Sequence, residues 1–184
     1  MDNVAIVLLA GGEASRFPGK LEHRIEGDPM LARSFDRLCA TGRPVYVAAR
    51  GSFSPQLDAR IDAPLIVDRH PGGGPLRGFL DACAVIRADR VFAVAADQPN
   101  VDAHLIARLS AAWREADEAV VPQHDGKIEP LAAVYDRRAA LREGFELRAS
   151  RKNGVRDLIS RLRARFVACE SGYFYNVNRP EDLP

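Results

Sequence analysis

The chain has 184 residues, 47% of them hydrophobic and 28% charged, with a formal net charge of +1. That composition excludes global disorder, the near-neutral total argues against a general nucleic-acid binder, and the length suits one domain over residues 1–184. No apolar run approaches the roughly 20 residues of a membrane span, and Met1-Asp2-Asn3 lacks the basic start of a secretory signal, so the expected location is the cytoplasm.

In chain order, Val4 to Leu9 is an unbroken apolar run with a Gly-Gly stop, the pattern of a central strand covered on both faces of a parallel sheet. Leu31, Phe35 and Leu38 fall at helical spacing ahead of Gly42, and a strand follows at Val45 to Ala49. Leu65 to Val67 reads as a further strand, and Leu76, Phe79, Leu80 and Cys83 as a helical stripe. After the strand Val91 to Ala96, a helix capped by Asp102 carries Leu105, Ile106 and Leu109 towards Trp113, which reads as a core residue. Ala119 to Val121, Leu131 to Tyr135 and Phe166 to Ala168 complete the strands, with a helix over Val155, Leu158, Ile159 and Leu162. This alternation predicts an α/β fold, a Rossmann-like three-layer sandwich around a mostly parallel central sheet.

Cys39, Cys83 and Cys169 are odd in number and far apart, which reads as buried thiols rather than disulfides or a zinc site. His23, His70, His104 and His124 lack metal-ligand spacing and read as surface or loop residues. Residues 137–165 hold ten Lys and Arg against Glu143, Glu146 and Asp157, either a solvated helical face or a platform for an anionic substrate.

The chemistry lies in the loop after the first strand. Gly11 and Gly12 let backbone N–H groups approach a phosphate, and Arg16 and Lys20 place two cations where triphosphate oxygens would sit. A Walker loop is excluded because Ala14 stands where its first glycine belongs and Leu21 replaces its hydroxyl residue; a dinucleotide fingerprint is excluded by missing glycines. Asp97 ends an apolar strand, which puts a carboxylate at the rim where open α/β sheets bind ligands. Gly73, Gly74 and Pro75 read as a tight turn before a helix, with N–H groups free for a base or ribose.

Leu9 to Lys20 resembles the L-A-G-G-x-x-S-R-M-G-x-x-K signature of nucleotidyltransferases. Asp68 to Gly78, Ala95-Ala96-Asp97-Gln98-Pro99, Glu129-Pro130-Leu131 and Asn176 to Leu183 then resemble, in order, the later motifs of the molybdenum cofactor guanylyltransferases, the MobA family. The resemblance covers essentially the whole chain. It implies the nucleotide-diphospho-sugar transferase type of fold and transfer of GMP from GTP to the terminal phosphate of molybdopterin or molybdenum cofactor, with release of pyrophosphate.

By the same resemblance Leu9, Ala10, Gly11, Gly12, Lys20, Asp68, Gly74 and Asp97 bind the nucleotide, and Arg16, Lys20 and Asp97 form the catalytic set. Asp97 and Asn178 take Mg²⁺, Asn176 and Asn178 return the C-terminal strand to the site, and Asn176 joins the acceptor side. Arg151, Lys152 and Arg156 are the candidates for the acceptor end. The partners implied are GTP and the cofactor, with transient contact to cofactor-delivering proteins or molybdoenzymes, and neither nucleic acid nor membrane. The Arg16-to-Lys20 spacing of four is that of cytidylyltransferase relatives, whereas Leu9-Ala10-Gly11-Gly12 and Gly74-Pro75-Leu76-x-Gly78 favour guanine. A CTP-dependent enzyme, a sugar-phosphate nucleotidyltransferase and a non-catalytic carrier are the alternatives.

Overall fold

The computed structural model describes residues 3–11, 19–67, 74–149 and 154–182. In chain order the elements are β1 (Val4–Leu9), β2 (Arg24–Ile25), β3 (Asp28–Pro29), α1 (Met30–Cys39), β4 (Val45–Ala49), α2 (Pro55–Asp58), β5 (Leu65–Val67), α3 (Gly74–Val85), β6 (Arg90–Ala95), α4 (Ala103–Ala111), β7 (Ala119–His124), β8 (Lys127–Ile128), β9 (Ala132–Asp136), α5 (Arg137–Ala149), α6 (Val155–Ile159) and β10 (Ala164–Ala168). Short 3₁₀ turns lie at Lys20–Glu22, Ser171–Phe174 and Pro180–Asp182.

The main sheet runs β10-β7-β9-β6-β1-β4-β5, with β8 paired to β7. All six residues of β1 are buried: Ala5, Val7 and Leu9 join the core on one face, and Val4, Ile6 and Leu8 the core on the other. The unbroken apolar run therefore reflects a strand with both faces covered, flanked in parallel by β4 and β6. Strand β9 reverses the direction, pairing antiparallel with β6 and with β7, and β10 then lies parallel on β7. Helices α3, α5 and α6 pack against the first face, α1, α2 and α4 against the second, giving three layers.

Local chemistry sets the helix ends. The Asp102 carboxylate accepts from the backbone N–H of His104 and Leu105 at 3.0 and 3.1 Å, the predicted cap of α4. Two tight hairpins use positive φ at both central residues, Glu26-Gly27 between β2 and β3 and Asp125-Gly126 between β7 and β8. Trp113, just beyond α4, is half-buried against the second core, with the Arg90 guanidinium 4.4 Å from its ring centroid.

The structure corrects the cysteine reading in part. Cys83 is buried and its thiol is pushed up by desolvation, but Cys39 is exposed and Cys169 is half-buried. Cys39 follows Leu38 on α1, and one helical step of about 100° carries it from the core stripe to solvent. Helix α5 falls in the stretch for which a helical face was one of the two readings, but it is not simply solvated: its buried residues include Ala139, Ala140 and Leu147. Gly144 permits its close approach to α3, because a Cβ there would lie 2.4 Å from Leu80 Cδ2.

Candidate functional site

The parallel strands β1, β4 and β6 end on one rim. Past β1 the chain is held open by two backbone bonds, Ala10 N–H to Ala48 O at 2.7 Å and Ala96 N–H to Leu9 O at 3.0 Å. Leu9, Ala10 and Gly11 thereby line a cavity of about 220 Å³ together with the start of α3 at Gly74, Pro75 and Gly78. Gly74 has φ +64°, a left-handed entry to the helix that glycine adopts without strain. Ala48, Ala49, Ala95 and Ala96 also line it, so part of its wall is made of small apolar side chains.

Lys20 and Asp97 stand at the mouth. The left-handed Gly19, φ +72°, turns the chain into the 3₁₀ turn that Lys20 opens. The Lys20 Nζ lies 2.7 Å from Asp97 Oδ2 and 3.5 Å from Val177 O. Asp97 sits in the turn after β6, where the Gln98 N–H reaches Ala95 O at 3.1 Å. Its carbonyl accepts the Val177 N–H at 3.0 Å, which pins the C-terminal segment to this turn.

That segment brings Asn176 and Asn178 to a second cavity of about 310 Å³. The two cavities share Pro75, Ala95, Asp97 and Leu131, so Asp97 stands on their common border. Gln98, Glu129, Pro130, Val155 and Arg156 complete the second one. The expected C-terminal strand is absent: residues 175–178 belong to no helix or strand and residue 179 is a bend, and Asp182 Oδ2 accepts from the backbone N–H of Asn178 and Arg179, both at 2.8 Å. Turn bonding to Asp182 replaces the ladder.

The structure thus brings Leu9, Ala10, Gly11, Lys20, Gly74 and Asp97 to one cavity and Asp97, Arg156, Asn176 and Asn178 to the next. Gly12, Arg16, Asp68, Arg151 and Lys152 lie outside the described residues. The platform reading of the basic stretch is not supported among the described residues. Arg137 donates to Ala88 O and Cys83 O, Arg142 and Arg163 pair with Glu118, and Arg165 pairs with Asp117. Those side chains brace β7, β10 and α5; among the described basic residues of the stretch, Arg156 alone lines the second cavity.

His124 also departs from a plain surface residue. Its Nε2 is 3.0 Å from Glu129 Oε1 and its ring stacks on Phe174 at 4.7 Å. The other Glu129 oxygen accepts from Gln98 Nε2 at 3.4 Å. The sequence offered one signal for this pairing: Asp125-Gly126 is a two-residue hairpin that folds Glu129 back towards His124.

A divalent ion fits the border residue by donor type. Asp97 offers a hard carboxylate oxygen that already attracts a cation, and the Asn178 amide lines the same second cavity. Among the described residues no group of three or more His, Cys, Asp or Glu could hold a metal, so the remaining ligands would be water and substrate oxygens. No helix among the described residues is long and apolar enough to cross a membrane.

Comparison with known proteins places this geometry. Residues 6–166 match the MobA-like NTP transferase domain. A Bacillus cereus protein named a probable molybdenum cofactor guanylyltransferase is 27% identical over 190 residues, covering 99% of this chain and 94% of that one. The crystal structure of molybdopterin-guanine dinucleotide biosynthesis protein A from Archaeoglobus fulgidus superposes with a TM-score of 0.81 at 23% identity, covering 97% of this chain and 94% of its own. The 4-diphosphocytidyl-2C-methyl-D-erythritol synthase of Anaerococcus prevotii shares the fold at a TM-score of 0.75 and 11% identity, covering 97% and 94% of the two chains. The chain belongs to the MobA-like NTP transferase domain family and is a nucleotidyltransferase.

Proposed function

We propose that the protein transfers GMP from GTP to the terminal phosphate of molybdopterin or molybdenum cofactor, forming the guanine dinucleotide and releasing pyrophosphate. The observation that carries this reading is the pair of cavities sharing Asp97, one with a small-residue slot for a nucleoside and one with polar walls for an acceptor. The curated relative's name supplies the acceptor and the base. Residues 1–184 are read as one domain, with the nucleotide half before the acceptor half.

In this reading the backbone of Leu9, Ala10, Gly11 and Gly12, with Asp68 and Gly74, seats the nucleoside and phosphates, and Arg16 and Lys20 neutralise the triphosphate. An acceptor oxygen forms a bond to the α-phosphorus while the bond to the bridging α,β-oxygen breaks, and the electron pair leaves with pyrophosphate. A phosphate monoester has its second pKa near ~6, so the attacking oxygen is ionised at neutral pH and needs no side-chain base. Asp97 and Asn178 would hold Mg²⁺, which supplies charge neutralisation on the phosphate oxygens when bound. The residues contribute alignment and electrostatics. Arg156 and Asn176, with Arg151 and Lys152, are assigned to the acceptor side.

The test is pyrophosphate release with Mg²⁺ and either GTP or CTP, with and without molybdenum cofactor. GTP-specific, cofactor-dependent release is expected. CTP preference would favour the reading that the Arg16-to-Lys20 spacing supports; release with a sugar phosphate alone would overturn the acceptor, and nucleotide binding without release would mark a carrier.

A further inference from the structure

Gln98 is 3% exposed, and its Oε1 has no hydrogen-bond partner among the protein's described groups. A buried carbonyl without a donor is costly, and one at a ligand cavity has a reason to persist only if a donor arrives with the ligand. Gln98 lines the second cavity next to Asp97, on the side away from the nucleoside slot. Its other end is committed: Nε2 donates to Glu129 Oε2 at 3.4 Å, and Glu129 Oε1 is in turn 3.0 Å from His124 Nε2.

This relay fixes which end of the amide is left over. Turning the amide over would set Oε1 against the Glu129 carboxylate, two acceptors with no proton between them. His124 cannot readily swing away from Glu129, because its ring is stacked on Phe174 at 4.7 Å and 18°. The arrangement therefore keeps the carbonyl, not the amino group, as the unsatisfied end.

We infer that Gln98 is an acceptor-specificity residue whose carbonyl oxygen takes an N–H or O–H donor of the acceptor, and that Glu129 and His124 are positioning residues that hold the amide in that sense. This rests on the acceptor reading proposed above and deepens it: the acceptor carries a hydrogen-bond donor beside its reacting phosphate. An acceptor lacking the donor is rejected because it would leave the carbonyl buried and unpaired, the asymmetry by which polar sites discriminate strongly.

The experiment measures steady-state pyrophosphate release with GTP, Mg²⁺ and molybdenum cofactor for the full chain and for Gln98→Met, Glu129→Gln and the double variant. Gln98→Met keeps the length of the side chain and removes both polar ends. It is expected to raise the acceptor KM at least about tenfold while the GTP KM stays within about twofold. Glu129→Gln lets the amide turn and is expected to raise the acceptor KM by a smaller factor. Because Glu129 acts through Gln98, the double variant is expected to match Gln98→Met rather than multiply the two effects.

An unchanged acceptor KM in a folded Gln98→Met, or a GTP KM raised equally, overturns the specificity role. Multiplying effects in the double variant overturn the positioning role of Glu129. Should Gln98→Met fail to fold, Gln98→Leu, which also removes both polar ends, takes its place with thermal melts as control; an acceptor KM raised at least about tenfold there supports the role, and an unchanged one overturns it. Absence of release by the unmodified protein overturns the acceptor reading and this assignment together, whereas release with an indifferent Gln98 overturns the assignment alone.

Discussion

The ammonium of Lys20 rests 2.7 Å from Asp97 Oδ2, across 77 residues of sequence, with the two side chains only 15% and 24% exposed. One carboxylate thus holds a cation at the border of the two cavities, the place proposed for a divalent ion. If Asp97 holds the ion as proposed, Lys20 and the metal compete for it until triphosphate oxygens take the ammonium. Lys20→Met is expected to raise the affinity of the nucleotide-free protein for Mn²⁺, read by electron paramagnetic resonance, by about tenfold, and to lower turnover. Lys20→Arg keeps a cation and should leave Mn²⁺ affinity low. Unchanged Mn²⁺ binding in Lys20→Met would show that the pair does not guard the site.

Asp97→Asn keeps the backbone carbonyl that receives the Val177 N–H, so the C-terminal segment stays pinned and the thermal melt should move little. Turnover with GTP is expected to fall at least ~100-fold, the scale of a lost electrostatic contact to transferring phosphate. Activity near that of the unmodified protein would remove Asp97 from the mechanism.

Gly144 tests the packing of α5 on α3. A methyl there would lie 2.4 and 2.6 Å from the Leu80 methyl carbons, and Leu80 is 3% exposed with little room to turn. Alanine gains up to about 1 kcal/mol in helix propensity, whereas overpacking costs about 1–3 kcal/mol. The clash should win. Gly144→Ala is expected to lower Tm by a few degrees, and a Tm that rises would show Leu80 moving aside.

Asp117 and Glu118 set an acid limit. Burial opposes ionisation of both, but the Arg165 fork and the Arg114 N–H hold Asp117 below its ordinary 3.8, and the Arg163 N–H and the Arg142 guanidinium hold Glu118 below its ordinary 4.5. A depressed carboxyl binds fewer protons folded than unfolded, so its stabilisation is complete above the unfolded value and is lost as pH falls through the folded one. Urea midpoints should therefore decline below about pH 4.5. Arg165→Ala should flatten the part due to Asp117; an identical decline in that variant would assign the acid limit elsewhere.

Much of this was legible in the sequence, for physical reasons that differ by element. Strand β1 declared itself because both faces are covered, and Asp97 because it ends a second buried strand. The reversed direction of β9 left no mark in its residues, since a fully buried strand is apolar whichever way it runs. The arginines of residues 137–165 left a solvated helical face and an anion platform equally open until the structure showed Arg137 and Arg142 on α5 braced against carbonyls and a carboxylate. The His124–Glu129 half of the relay had its signal in the Asp125-Gly126 hairpin, but its meeting with Gln98 brings a second, distant turn alongside, and no spacing in the chain encodes that meeting.

The reversed strand has a consequence for how the enzyme can diverge. Where β6 leaves the sheet, β9 enters it, and the Ala95 N–H bonds Leu131 O at 3.1 Å across that junction. Glu129 to Leu131 therefore arrive at the same rim from the opposite direction, with Glu129 and Pro130 lining the second cavity alone and Leu131 lining both. In the proposed reading, Glu129 and Pro130 and the tail beyond Phe174 can be rewritten for a new acceptor without touching a residue that lines the first cavity, whereas Leu131, shared by both cavities, ties the two sides together.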